Sequence, residues 1–167
     1  MSDSVSLAAE QDRRRHANRY SRTNTPLKDD NDKDSRAAEE AFCDFVGLPH
    51  SVIPKKKHAG FQFTINGVTV KVYAAPRDKN LLVPTRKRMV WADVYVLAWV
   101  ERFGEERSAA IVRWCNQSTV ETVIPAIHKI DGPYKLESRL LPYTRMSGDL
   151  HALRQRLGLA HRQESLL

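Results

Sequence analysis

The clearest pattern in the chain is a pair of short alternating runs joined by Asn66-Gly67. Phe61, Phe63 and Ile65 alternate with Gln62 and Thr64, and Val68, Val70 and Val72 alternate with Thr69 and Lys71. Asn-Gly between alternating runs predicts a tight hairpin, because both turn positions tolerate positive φ. The two-residue period puts the three valines on one face of the second strand and Thr69 with Lys71 on the other, polar face.

Upstream, Ala37, Ala41, Phe42, Phe45 and Val46 recur at helical spacing, with Cys43 in the same pattern. Asp34-Ser35 predicts a cap and a start near Arg36, and Gly47, Pro49 and Pro54 predict the exit. Downstream, residues 81–83 form a short apolar piece ending at Pro84. Residues 89–100 predict a strand, apolar on both faces from Val94 and therefore inside a sheet, with Asp93 in a turn at its start. A hairpin-like connection over 101–107 leads to a further strand over 108–115. Residues 121–130 read as strand or irregular, interrupted by Pro125. A turn at Asp131-Gly132-Pro133 precedes a short element over 136–141. Ser147 predicts the cap of a last helix carrying Leu150, Leu153 and Leu157. The order helix, strands, short helix gives an α+β domain around a mixed β-sheet, its hairpin flanked by an N-terminal helix and a short C-terminal helix.

Composition divides the chain in two. Residues 1–34 carry seven Lys/Arg and seven Asp/Glu and, after Met1, only Val5, Leu7, Tyr20 and Leu27 as larger apolar side chains. So polar a segment cannot offset its ordering entropy, which predicts a disordered charged arm ahead of one domain over 35–167. In that arm Arg13-Arg14-Arg15-His16 offers a contact for a polyanion. The whole formal charge of +7 then belongs to the domain. Residues 36–88 hold ten Lys/Arg against four Asp/Glu, densest at Lys55-Lys56-Lys57 and Arg86-Lys87-Arg88 on either side of the hairpin. Each cluster alone fits a solvated loop; two of them bracketing one hairpin favour a phosphate backbone, through counterion release.

Two cysteines, Cys43 and Cys115, make neither a disulfide framework nor a zinc site. The start of the chain lacks a secretory signal, and no run approaches the ~20 apolar residues of a membrane span. The expectation is a reduced cytoplasmic protein, in the host cytoplasm if phage-encoded, with no membrane partner. Trp91, Trp99 and Trp114 fit a core better than a base-stacking platform, and His58 reads as a loop histidine.

The ordered set of segments resembles the PD-(D/E)XK nuclease superfamily, which includes restriction endonucleases, Holliday-junction resolvases and many phage proteins. Residues 39–48, with Glu39, apolar positions and a Gly47-Leu48 exit, are similar to the first helix of small phage and bacterial members. Gly67-Val68-Thr69-Val70-Lys71 resembles their Gly-Val-Glu-Val-Arg/Lys strand. Residues 93–98, 111–114 and 136–150 resemble the later strands and the closing segment, so the likeness runs over 36–150. It implies a restriction-endonuclease-like core in which carboxylates hold Mg²⁺ or Mn²⁺ and a lysine steadies the attacking water or the phosphate.

Carried over residue by residue, Glu39 matches the helix glutamate and Lys71 the motif lysine. Thr69 stands at the degenerate motif position, where a carboxylate belongs, and the preceding aspartate falls near Gln62 or Thr64. Neutral side chains cannot replace anionic ligands for a hard cation. Asp78 and Asp93 are the acids that could rebuild a metal site with Glu39. Three readings follow: a nucleic-acid-binding protein, DNA more than RNA, that has lost catalysis and needs no cofactor; a Mg²⁺- or Mn²⁺-dependent endonuclease with relocated acids; and a phage or bacterial interaction module that kept only the fold. For the last, the arm is the tether to a protein partner, and a homodimer is a further expectation. Glu39, Lys71 and Asp93 also fit, respectively, a solvated helix residue, a strand lysine on a solvent face and a turn residue.

Overall fold

The computed structural model describes residues 29–55, 62–83, 89–123 and 140–159. The first element is helix α1 (Asp30–Val46), capped by Asp29, whose carboxylate accepts from Asp32 N at 2.8 Å. The cap lies earlier than the expected Asp34-Ser35, so residues 30–34 belong to the helix and Asp29 caps it; the rest of the expected arm lies outside the described residues. The charged run hid this first turn, because its acids are stabilised by the helix amino end and by arginines distant in sequence. Gly47 ends α1 in the left-handed region (φ 80°), and the N–H groups of Gly47 and Leu48 both reach Cys43 O, at 2.8 and 2.9 Å.

The hairpin forms as its sequence demands. Strands β1 (Phe63–Ile65) and β2 (Val68–Pro76) pair antiparallel, and Asn66 and Gly67 both have positive φ, 49° and 81°. After a two-residue strand, β3 (Leu81–Leu82), the chain enters β4 (Val94–Phe103), which lies parallel to β2, and returns antiparallel along β5 (Glu106–Asn116). The sheet order is β1-β2-β4-β5. Residues 89–93, expected as strand, are irregular, and β4 and β5 run further into the expected connection, which shrinks to a tight turn at Gly104-Glu105. Helix α2 (Gln117–Glu121) precedes the segment expected as strand or irregular and reaches only its first residue; residues 124–130 of that segment lie outside the described residues, as does the expected turn at 131–133. Strand β6 (Leu140–Leu141) pairs with β3. Helix α3 (Leu150–Arg156) is capped by Asp149, which accepts from Ala152 N at 3.0 Å, rather than by Ser147.

The sheet separates two cores. On one face α1 and α3 pack Phe42, Cys43, Leu153 and Leu157 against Val70, Val72, Val94 and Val96. On the other face the β3–β6 ribbon and its neighbours pack Leu81, Val83, Leu141 and Met146 against Tyr95, Leu97 and Cys115. The face of β2 that carries Lys71 is therefore not a solvent face: Tyr73 and Ala75, in step with Lys71, border this second core. The fold is α+β with a four-stranded mixed sheet and helices. The hairpin does meet the C-terminal helix, since Asn66 Nδ2 donates to Leu157 O at 2.9 Å. Among the described residues no helix is long and apolar enough to cross a membrane.

Candidate functional site

Lys71 is the first residue of β2 beyond the short β1 ladder, which ends at the Phe63–Val70 pair. Its ammonium lies 5.5 Å from the centre of the Tyr73 ring, and Tyr73 in turn stacks on Tyr95, with centroids 6.2 Å apart. Tyr95 is held rigid: its hydroxyl donates to Val90 O at 3.1 Å and accepts from Ala92 N at 3.0 Å. Burial pushes the Lys71 ammonium below the usual lysine range, and the Glu39 carboxylate works against that shift. Burial likewise raises the Glu39 carboxyl, opposed by Lys71 and Arg36. The helix glutamate and the strand lysine singled out from sequence thus influence one another electrostatically, although α1 packs on the Val70 and Val72 face of β2 and Lys71 lies over Tyr73 on the other. Arg36, three residues before Glu39, was missed; it donates to Glu40 at 3.0 Å and to Pro54 O at 2.8 Å. That second bond fixes the chain one residue before Lys55, which is exposed.

Thr69 is occupied by a different acid. Its N–H and its hydroxyl donate to Asp93 Oδ2 at 2.9 and 3.0 Å, and the hydroxyl oxygen accepts from Asp93 N at 2.9 Å. These hydrogen bonds hold the exposed Asp93 carboxyl below the usual carboxylate range, with Arg156 adding to the effect. Asp93 reaches the degenerate position from the start of β4 because β2 and β4 are parallel and pair Val70 with Val94. The other two positions expected to carry an acid hold neutral side chains. Gln62 Nε2 donates to Trp91 O at 2.8 Å, and Thr64 is exposed and opposite Thr69 in the ladder.

Asp78 is elsewhere. It follows the far end of β2 in a left-handed turn (φ 62°), whereas Asp93 precedes the near end of β4. Between the Val70–Val94 and Pro76–Val100 pairs the strands advance roughly 20 Å at about 3.3 Å per residue. Glu39 responds to Lys71, Arg36 and Glu40, and Asp93 to Thr69 and Arg156, so neither acid figures among the groups acting on the other. Glu39, Asp78 and Asp93 do not assemble, and among the described residues no group of three or more His, Cys, Asp or Glu could hold a metal ion. Glu39, Asp78 and Asp93 therefore do not together supply the several anionic oxygens at one point that a hard divalent cation needs.

Lys56, Lys57, His58, Arg86, Lys87 and Arg88 lie outside the described residues. Of the tryptophans, Trp114 is buried, while Trp91 and Trp99 are only partly so. The thiols of Cys43 and Cys115 are buried, and burial pushes them up to about 11 and about 12. No family model, curated protein or solved structure matches the chain.

Proposed function

We propose that the chain is a nucleic-acid-binding protein with a nuclease-like fold that has lost phosphodiester hydrolysis. The observation that carries this reading is the placement of Lys71 on β2 two residues beyond Thr69, which holds the position where a carboxylate belongs, with Glu39 close enough to act on the lysine. Such a remnant keeps its cation and lacks the anionic oxygens a metal requires. Losing acids makes a cleft more electropositive, which favours a polyanion. Lys55, fixed next to the carbonyl that Arg36 holds, begins the first of two basic runs flanking the hairpin. Lys71, Lys55-Lys56-Lys57 and Arg86-Lys87-Arg88 are the phosphate contacts in this reading, with DNA the favoured polymer.

The test is filter binding of duplex and branched DNA over a salt series in the presence of EDTA. Binding at low salt that weakens steeply as salt rises is the expected result. No binding at low salt, or affinity independent of salt, contradicts the reading. One observation favours the endonuclease instead: Asp93 has its carboxylate on the Thr69 hydroxyl, where the motif acid belongs. Cleavage of plasmid DNA with Mn²⁺, abolished in both Lys71→Ala and Asp93→Asn, would establish that reading in place of the first.

A further inference from the structure

Among the described residues, the second face of the sheet is not covered along its whole length. The β3–β6 ribbon and its neighbours bury Tyr95 and Leu97, but beyond them the outer face of β4 and β5 lies open, with Ser108 and Ala110 exposed. There Trp99, Arg77, Glu101, Ser108, Ala110 and Val112 line a shallow groove of about 330 Å³. Trp99 sits in register between Ala75 on β2 and Ala110 on β5, so its strand neighbours are too small to cover the indole. The ring is fixed: its Nε1 donates to Lys79 O at 3.3 Å, and Tyr143 meets it edge-on, centroids 5.4 Å apart at 83°. Tyr143 is itself anchored, its N–H donating to Asn80 Oδ1 at 3.0 Å.

The surroundings are cationic. Arg113 lies over the Tyr143 ring at 5.6 Å, Arg145 is exposed in the same turn as Tyr143, and Arg77 stands at the rim. Glu101, the one carboxylate lining the groove among the described residues, accepts from Arg77 Nη1 at 3.1 Å and is offset by it. A fixed, partly exposed indole on a sheet, with Arg77 lining the same groove and Arg113 on the neighbouring Tyr143 ring, has the two elements by which single strands are held: a π-face for a base and cations for the phosphates. The volume suits one planar base with its sugar, at the lower end of small-ligand sites.

We infer that this groove is a base-stacking platform for single-stranded nucleic acid, with a base against Trp99 and the flanking phosphates on Arg77 and Arg113. A duplex offers no free base face, so it gains nothing here. The inference rests on the proposed nucleic-acid binding and names the strand state it takes.

Fluorescence anisotropy of a labelled oligothymidylate, with a duplex of equal length as control, tests it on the full chain. Trp99→Ala is expected to weaken single-strand binding by roughly tenfold or more, the range seen when one stacking ring is removed. Trp99→Phe keeps a π-face and should stay within about threefold of the parent protein. Ala110→Leu fills the groove from an exposed position without changing charge, and should reproduce the loss even if Trp99→Ala fails to fold. Duplex affinity should not change in any of the three. An equal loss for both polymers, or no loss for the single strand, overturns the inference while leaving nucleic-acid binding intact. The same holds if sedimentation shows the variants separating a dimer with DNA affinity unaltered, which makes the groove a contact between copies. Failure of the parent protein to bind either polymer removes both the inference and the reading beneath it.

Discussion

Two groups of charges, both involving α1, show opposite electrostatic behaviour. At the amino end of the helix, Asp34 accepts from Arg102 Nη2 at 2.6 Å and from Arg107 Nε at 2.8 Å, and Asp30 accepts from Arg107 Nη2 at 2.5 Å. Lys33 pairs with Glu105 beside them. Although burial works to raise the Asp34 carboxyl, the arginine hydrogen bonds outweigh it and hold it below the usual range. Hydrogen bonds to Asp34 in turn raise Arg102. Five residues beyond Asp34, Glu39 is raised, and on β2 Lys71 is lowered, burial being the main cause of each. The first group is a clasp that ties the helix to the β4–β5 turn and satisfies its own charges. In the second, burial outweighs mutual attraction and shifts both groups towards their neutral forms. Charge in a fold need not mean function; the sign of the shift separates the clasp from the candidate site.

The clasp should carry the larger share of stability. Asp34→Ala leaves Arg107, whose side chain is 5% exposed, without its best partner, and should cost about 2 kcal/mol in urea unfolding. DNA affinity should not change. A loss under about 0.5 kcal/mol, the range of an ordinary surface site, would erase the distinction between the two groups.

The hairpin that presents Lys71 is the next place to strike. Gly67→Ala meets nothing within 4 Å but forces an L-residue to φ 81°, which should cost about 1 kcal/mol. Hydrogen exchange should quicken at Val68 and Val70 and not at the clasp. Uniform quickening would mean that the two regions do not open independently.

The pH dependence sharpens the contrast. Asp34 is depressed in the folded state, so its contribution is complete above the unfolded carboxyl value and is lost as pH falls through the folded one. Glu39 is raised, so its contribution is present below the unfolded value and is lost as pH rises through the folded one. Asp34→Asn should flatten the acid limb of a stability profile, and Glu39→Gln the limb above the ordinary glutamate value. Identical profiles for the two variants would contradict the assignment. The smallest expected effect is on binding: Glu39→Gln removes a negative charge beside Lys71 and should tighten DNA severalfold at low salt, read by anisotropy.

Much of the fold was legible where local chemistry decides it. Asn66-Gly67 specified the hairpin, Gly47 ended α1, and the doubly apolar run from Val94 marked an interior strand. The helix start was not legible, because the first turn of α1 looks like a charged tail until Arg102 and Arg107, distant in sequence, supply its partners. Period-two reading paired Thr69 with Lys71 correctly but took their face as polar. Tyr73, one step on, lies against a second core built from residues 81–83 and 141–146, whose return to the sheet no local pattern encodes. The meeting of Asp93 with Thr69 needed the parallel register of β2 and β4. Trp99 read as core because sequence does not reveal which end of a sheet face the β3–β6 ribbon covers.

The most direct test of the central claim compares two variants that each remove one positive charge: Lys71→Ala from the candidate site and Arg102→Ala from the clasp. DNA binding is measured for both over a salt series. The account predicts that Lys71→Ala weakens binding and lowers the salt slope by about one, while Arg102→Ala leaves the slope unchanged and lowers only stability. Equal slopes for the two variants, or a Lys71→Ala slope identical to that of the parent protein, would contradict it.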